Sequence, residues 1–128
     1  MHARAGQFFI DGVWVTAEGG ERHVVVNPAT EQPLGEIAMG TATEVDKAVA
    51  AAVRAFPAFS ATSREERLAL LDRVIAIYKR RFDEITQTIT AEMGAPITFS
   101  HKGQTQVGLT HFETMREVLA TYEMEQPL

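Results

Sequence analysis

Two short apolar runs, Phe8-Phe9-Ile10 and Val13-Trp14-Val15, stand on either side of Asp11-Gly12. Glycine adopts positive φ freely and aspartate tolerates it, so this spacing predicts a tight β-hairpin with a two-residue turn. After the flexible stretch Glu18-Gly19-Gly20-Glu21 comes the β-branched run Val24-Val25-Val26, which Asn27-Pro28-Ala29-Thr30 breaks because proline has no N–H to give a sheet ladder. Weak alternation from Leu34 to Met39 predicts a partner strand, so two hairpins are expected over about 7–40.

The period then changes from two to three and four. Val45, Ala48, Val49, Ala52, Val53 and Phe56 recur at helical spacing behind the capping sequence Thr43-Glu44-Val45-Asp46, which predicts a first helix over about 43–56, ending at Pro57. Ser63-Arg64-Glu65-Glu66 fits a capping box, in which serine accepts from the first turn and glutamate reaches back to the cap amide. Behind it Leu68, Leu71, Ile75, Tyr78, Phe82, Ile85 and Ile89 form a sustained stripe, read as one long helix over about 63–93 packing lengthwise on a neighbour. Gly94-Ala95-Pro96 supplies a left-handed cap and a new start. A third helix over about 96–123 returns antiparallel, carrying Ile97, Val107, Phe112, Met115, Leu119 and Tyr122, with Gly103 and Gly108 permitting close approach. The expected fold class is α+β: N-terminal β-hairpins followed by three helices, the second and third long and antiparallel, in a single segment spanning 1–128.

Composition narrows the function. Hydrophobic residues are 45% of the chain and charged residues 23%, ordinary for a packed protein. Twelve basic against seventeen acidic residues leave a net charge of −5, and the one cationic cluster, Lys79-Arg80-Arg81, reads as a solvated helix face, so no nucleic-acid partner is expected. The chain contains no cysteine, which excludes disulfides, thiolate metal sites and a cysteine nucleophile supplied by these residues. No apolar run approaches the roughly 18 residues of a membrane span, and Met1-His2-Ala3-Arg4-Ala5-Gly6 lacks the apolar stretch of a signal peptide. The expectation is a cytoplasmic protein with no membrane contact.

Candidate chemistry is sparse. Gly103 and Gly108 have phosphate-loop spacing, but Leu109 and Thr110 follow where a loop would need lysine and a hydroxyl residue. His2, His23, His101 and His111 lack a second ligand at helical spacing, and Ser60, Ser63 and Ser100 lack the strained glycine-flanked turn of a hydrolase nucleophile. Glu65, Glu66, Asp72, Asp83, Glu84 and Glu92 sit where a helix places its polar face. No catalytic, coenzyme-binding or metal residue is assigned.

Taken in order, several segments resemble the amino-terminal region of the NAD(P)-dependent aldehyde dehydrogenase family. They are the Asp-Gly hairpin, Val26-Asn27-Pro28-Ala29-Thr30, Thr43-Glu44-Val45-Asp46-Lys47-Ala48-Val49, Arg54-Ala55-Phe56, Ser63-Arg64-Glu65-Glu66-Arg67 and Glu92-Met93-Gly94-Ala95-Pro96. Each alone is a turn, a cap or a packing motif; it is their joint order and spacing that carries the resemblance, over nearly the whole chain. One departure is Thr30-Glu31-Gln32-Pro33, where many relatives place glycine after the threonine, so the turn type there stays open.

The resemblance implies part of a larger α/β fold in which this region is scaffold against the coenzyme domain. It implies a family reaction in which a cysteine thiolate attacks an aldehyde, hydride passes to NAD or NADP, and a thioester is hydrolysed with a glutamate as general base. None of the family's catalytic or coenzyme motifs has a matching position here, so the Rossmann-like and catalytic domains are taken as absent and no coenzyme is expected on this chain alone. In some relatives a monovalent cation is held near the Val-Asn-Pro turn; the matching positions are Val25, Val26 and Glu92, although Glu92 reads better as a plain last-turn surface residue. The expected function is that of an N-terminal scaffold segment, inactive alone, whether truncated product, split gene or expressed fragment. Its partners would be the remainder of the dehydrogenase or, through open apolar helix faces, a second copy. The alternative is a free-standing α+β protein-interaction module.

Overall fold

The computed structural model describes residues 4–124. They fall into two compact units. One runs to Ala61 and takes in Ala91–Gly94; the other holds Thr62–Thr90 and resumes at Ala95.

In the first unit β1 (Gln7–Ile10) pairs antiparallel with β2 (Val13–Thr16), Phe9 opposite Trp14. Asp11 and Gly12 have φ of 53° and 80°, the double positive turn whose twist matches the strands. The second hairpin joins β3 (Arg22–Asn27) to β4 (Gln32–Ala38) as a separate two-stranded sheet. Its register shifts between Val25, opposite Gly35, and Val26, opposite Pro33, so the ladder skips Leu34 in a bulge. Asn27 closes the turn: its side chain accepts from Ala29 N–H at 2.9 Å and its carbonyl from Glu31 N–H at 2.8 Å. Glu31 takes φ 59°, a left-handed conformation where glycine would be unstrained.

Helix α1 (Ala42–Ser60) departs from the sequence expectation at both ends. Its cap is Thr41, two residues before the expected start, because Glu44 reaches back to Thr41 N–H at 2.7 Å. It also continues through Pro57. Proline removes only one bond there, to the Val53 carbonyl, and its fixed φ is helical, so the final turn survives with Ser60 Oγ donating to Pro57 O at 2.9 Å.

In the second unit α2 (Arg64–Arg80) starts as expected, with Glu66 N–H on Ser63 Oγ and Ser63 N–H on Glu66. The stripe expected as one helix to residue 93 is divided at Arg81 (φ −100°, ψ 12°) into α2 and α3 (Phe82–Met93). Arg81 N–H tightens onto Ile77 and Tyr78 carbonyls while its guanidinium clasps Glu84 one turn ahead, so a local tightening interrupts a stripe whose period continues across it. The third helical run comprises α4 (Ile97–Phe99), a π turn at Ser100–Thr105 and α5 (Gln106–Thr121). It returns antiparallel to α2: Arg64 donates to Ala120 O, Asp72 pairs with Arg116 at 2.7 Å, and Lys79 pairs with Glu113 at 2.7 Å.

Few apolar residues are buried among the described residues: Ala38 and Ala51 in the first unit, Ile75 and Leu109 in the second. The stripe of α1 faces outward, with Val45, Val49, Val53 and Phe56 between 56% and 67% exposed.

Candidate functional site

The most tightly organised polar group in the first unit is Glu44, which lies on the first turn of α1 and is only 6% exposed. One carboxylate oxygen accepts from Glu18 N–H at 2.8 Å; the other accepts from Thr41 N–H at 2.7 Å and from the Thr41 hydroxyl at 2.8 Å. These donors hold its pKa below the ordinary carboxylate value, the Thr41 N–H first, then Glu18 N–H, the Thr41 hydroxyl and Lys47, against an opposing effect of burial. Three donors thus engage the Glu44 oxygens as acceptors. Glu44 ties the β2–β3 connection to the start of α1. Beside it Phe8, Phe9, Ile10, Gly40, Val45 and Ala48 line an open apolar cavity of about 290 Å³ that contains no nucleophile. The sequence did carry the signal, Thr41-Ala42-Thr43-Glu44, but two threonines compete for the cap and only the fold chooses between them.

Gly103 and Gly108 lie in helical backbone and serve packing. A methyl on Gly108 would run into the Tyr78 hydroxyl, and one on Gly103 would come within 3.4 Å of the Phe99 ring.

The three positions matching the family's cation site are placed in the first unit. Val25 and Val26 flank the strand bulge, and Glu92 is exposed in the last turn of α3, two residues before Gly94, which packs on Pro28 and Ala29. Among the described residues no three His, Asp or Glu side chains gather as a metal site.

The remaining candidates are dispersed. His23 and His111 are exposed, His101 stacks edge-on to Phe82 at 4.9 Å, and His2 lies outside the described residues. Ser60 bonds Pro57 O, Ser63 caps α2, and the Ser100 hydroxyl is buried with no hydrogen-bond partner. Asp72 is held below its ordinary pKa by the Arg116 guanidinium, a surface pair rather than an acid–base device. In the basic cluster Lys79 and Arg81 each bond a glutamate. No helix among the described residues is long and apolar enough to cross a membrane.

Among the described residues the geometry presents an outward apolar face on α1 and no cluster of three His, Asp or Glu side chains. The chain matches the aldehyde dehydrogenase family over residues 14–127, and it belongs to that family. A Staphylococcus aureus member of the family (strain bovine RF122) is 45% identical over 118 residues, covering 92% of this chain but 25% of its own length. The crystal structure of aldehyde dehydrogenase C from Pseudomonas syringae, in complex with NAD+ and octanal, superposes with a TM-score of 0.92 at 38% identity, over 98% of this chain and 26% of that one. An aldehyde dehydrogenase from Bartonella henselae superposes with a TM-score of 0.91 at 31% identity, over 95% and 26%. The chain thus spans about a quarter of the length of the relatives it matches and corresponds to their amino-terminal part.

Proposed function

We propose that this chain is the amino-terminal scaffold of an NAD(P)-dependent aldehyde dehydrogenase that oxidises an aldehyde to a carboxylic acid, and that these residues contribute no group to the reaction. The observation that carries this is the absence of cysteine from a chain that matches its relatives over a quarter of their length. The thiolate nucleophile must come from elsewhere. NAD+ in the Pseudomonas syringae relative supports a nicotinamide coenzyme for the complete enzyme; this chain holds no residue for it. A cytoplasmic enzyme is part of the same reading. The free-standing interaction module is not favoured, because the family match covers 114 of 128 residues, from 14 to 127.

The natural partner is the remainder of the dehydrogenase, covering the open face of α1; without it, that face pairs with a second copy. The test is to incubate the purified chain with an aliphatic aldehyde and NAD+ or NADP+ while following absorbance of reduced coenzyme, and to measure its mass by light scattering. No reduced coenzyme and a mass above 14.1 kDa are expected. Coenzyme reduction that tracks the chain through purification would overturn the scaffold reading, and a monomer that binds no hydrophobic dye would overturn the self-association.

A further inference from the structure

The helical run from Ile97 to Thr121 changes pitch once, at the place where it hides two polar side chains. Ser100 and Thr105 are both fully buried and stand five residues apart. At about 100° per residue, an α-helix would point such positions roughly 140° apart, and one would leave the buried face. A π turn, closing i→i+5 bonds with about 4.4 residues per turn, brings them within roughly 50°. Ser100–Thr105 is that turn, with Gln106 N–H bonded to His101 O.

The two residues are held unequally. Thr105 is anchored to its neighbours: its hydroxyl shares a hydrogen bond with the Thr86 hydroxyl at 2.9 Å, and its carbonyl accepts from Tyr78 OH at 3.0 Å. The Ser100 hydroxyl is buried without a partner, which raises the free energy of the π form. The edge-on contact of His101 with Phe82 and the seating of the Phe99 ring against Gly103 work in the other direction.

We propose that residues 97–105 are a two-register element. In the π register Ser100 is hidden; in an α register the segment before Thr105 rotates by about one residue, roughly 100°, and Ser100 reaches water. Thr105 is the pivot, because its bonds to Thr86 and Tyr78 belong to the α5 side of the turn. Ile97 and Phe99, 42% and 54% exposed, change the side of the segment they occupy. The unsatisfied hydroxyl keeps the two registers close in free energy, and this holds whatever the complete protein does.

Hydrogen exchange of the isotope-labelled 128-residue chain, read amide by amide with Cα chemical shifts, tests the proposal. Ser100→Ala removes the unpartnered hydroxyl with almost no change of shape, so exchange at 101–106 should slow by about five-fold or more. Deletion of Lys102 removes the extra residue and should yield uninterrupted α-helical shifts from 97 to 121, with the Asp72–Arg116 pairing intact. Unchanged or faster exchange in Ser100→Ala would overturn the proposal, since the hydroxyl would then be satisfied. So would a folded Lys102 deletion that keeps a π turn; if the deletion does not fold, the Ser100→Ala exchange decides by itself.

Discussion

Replacing Gly94 with alanine should cost the first unit about as much as losing a large core side chain, although Gly94 has no side chain to lose. Gly94 closes α3 at φ 68°, where a residue with a Cβ pays roughly 1–2 kcal/mol. Part of that is offset, by about 0.4–1 kcal/mol, because alanine has less freedom than glycine in the unfolded chain. Space is the larger obstacle. The new Cβ would stand 2.8 Å from Pro28 Cγ, 3.0 Å from Ala29 N and 3.3 Å from Ala29 Cβ, and two of these are a rigid ring and a backbone atom that cannot swing aside. Overpacking of this kind costs about 1–3 kcal/mol, so the total is about 2–4 kcal/mol. For a chain of this size that lowers the melting temperature by roughly 10 °C. The assay is urea or thermal unfolding followed by circular dichroism, the midpoint moving while the urea slope stays constant. Adding Pro28→Ala removes the nearest obstructing atom, so its effect should be less than additive with Gly94→Ala. A Gly94→Ala chain within about 0.5 kcal/mol of the parent would refute the reasoning, because neither the conformational nor the steric cost would then be real.

Gly108→Ala should destabilise the α2–α5 packing by about 1–3 kcal/mol through collision with the Tyr78 hydroxyl; Tyr78→Phe should restore part of that loss, and strictly additive unfolding midpoints would argue against the collision. Glu44 has a folded pKa below the unfolded value of about 4.3, so its contribution is fully present above that pH and is lost as pH falls toward the folded pKa. Unfolding midpoints of the parent and of Glu44→Gln should therefore differ at pH 7 and converge below about pH 4, whereas a gap that stays constant on acidification would count against the network of Thr41 and Glu18 donors. Glu31→Gly should raise stability by about 0.5–1 kcal/mol by relieving the φ of 59°; a loss in calorimetry would mean that the glutamate side chain is worth more than its backbone strain.

Much of the fold was legible because its signals are local. Asp11-Gly12 specifies its own turn, Ser63 and Glu66 meet within one helical turn, and the stripe from Leu68 to Ile89 is inward or half-buried throughout. Where local signals compete, the sequence is ambiguous: Thr41 and Thr43 both precede Glu44 at plausible cap positions, and Pro57 is a stop signal that a helix near its end can absorb. The break at Arg81 left no mark on the apolar period, since both helices keep their phase across it. For the candidate site, the lack of cysteine is legible in composition, while the outward exposure of the apolar stripe of α1 is visible only in the structure.

By itself the sequence determined the hairpins, the Ser63 cap of α2 and, through the joint spacing of its motifs, membership of the aldehyde dehydrogenase family. Tertiary structure alone decided that Glu44 is a buried strut to Glu18, 26 residues away, that Gly108 exists for the Tyr78 hydroxyl, that Gly94 is the seat of Pro28 and Ala29, and that the third helix carries a π turn. The physical reason is range. A turn or a cap is set by atoms within about four residues, which the sequence displays side by side, whereas a close approach or a helical register is set by whatever distant residue the fold brings against it.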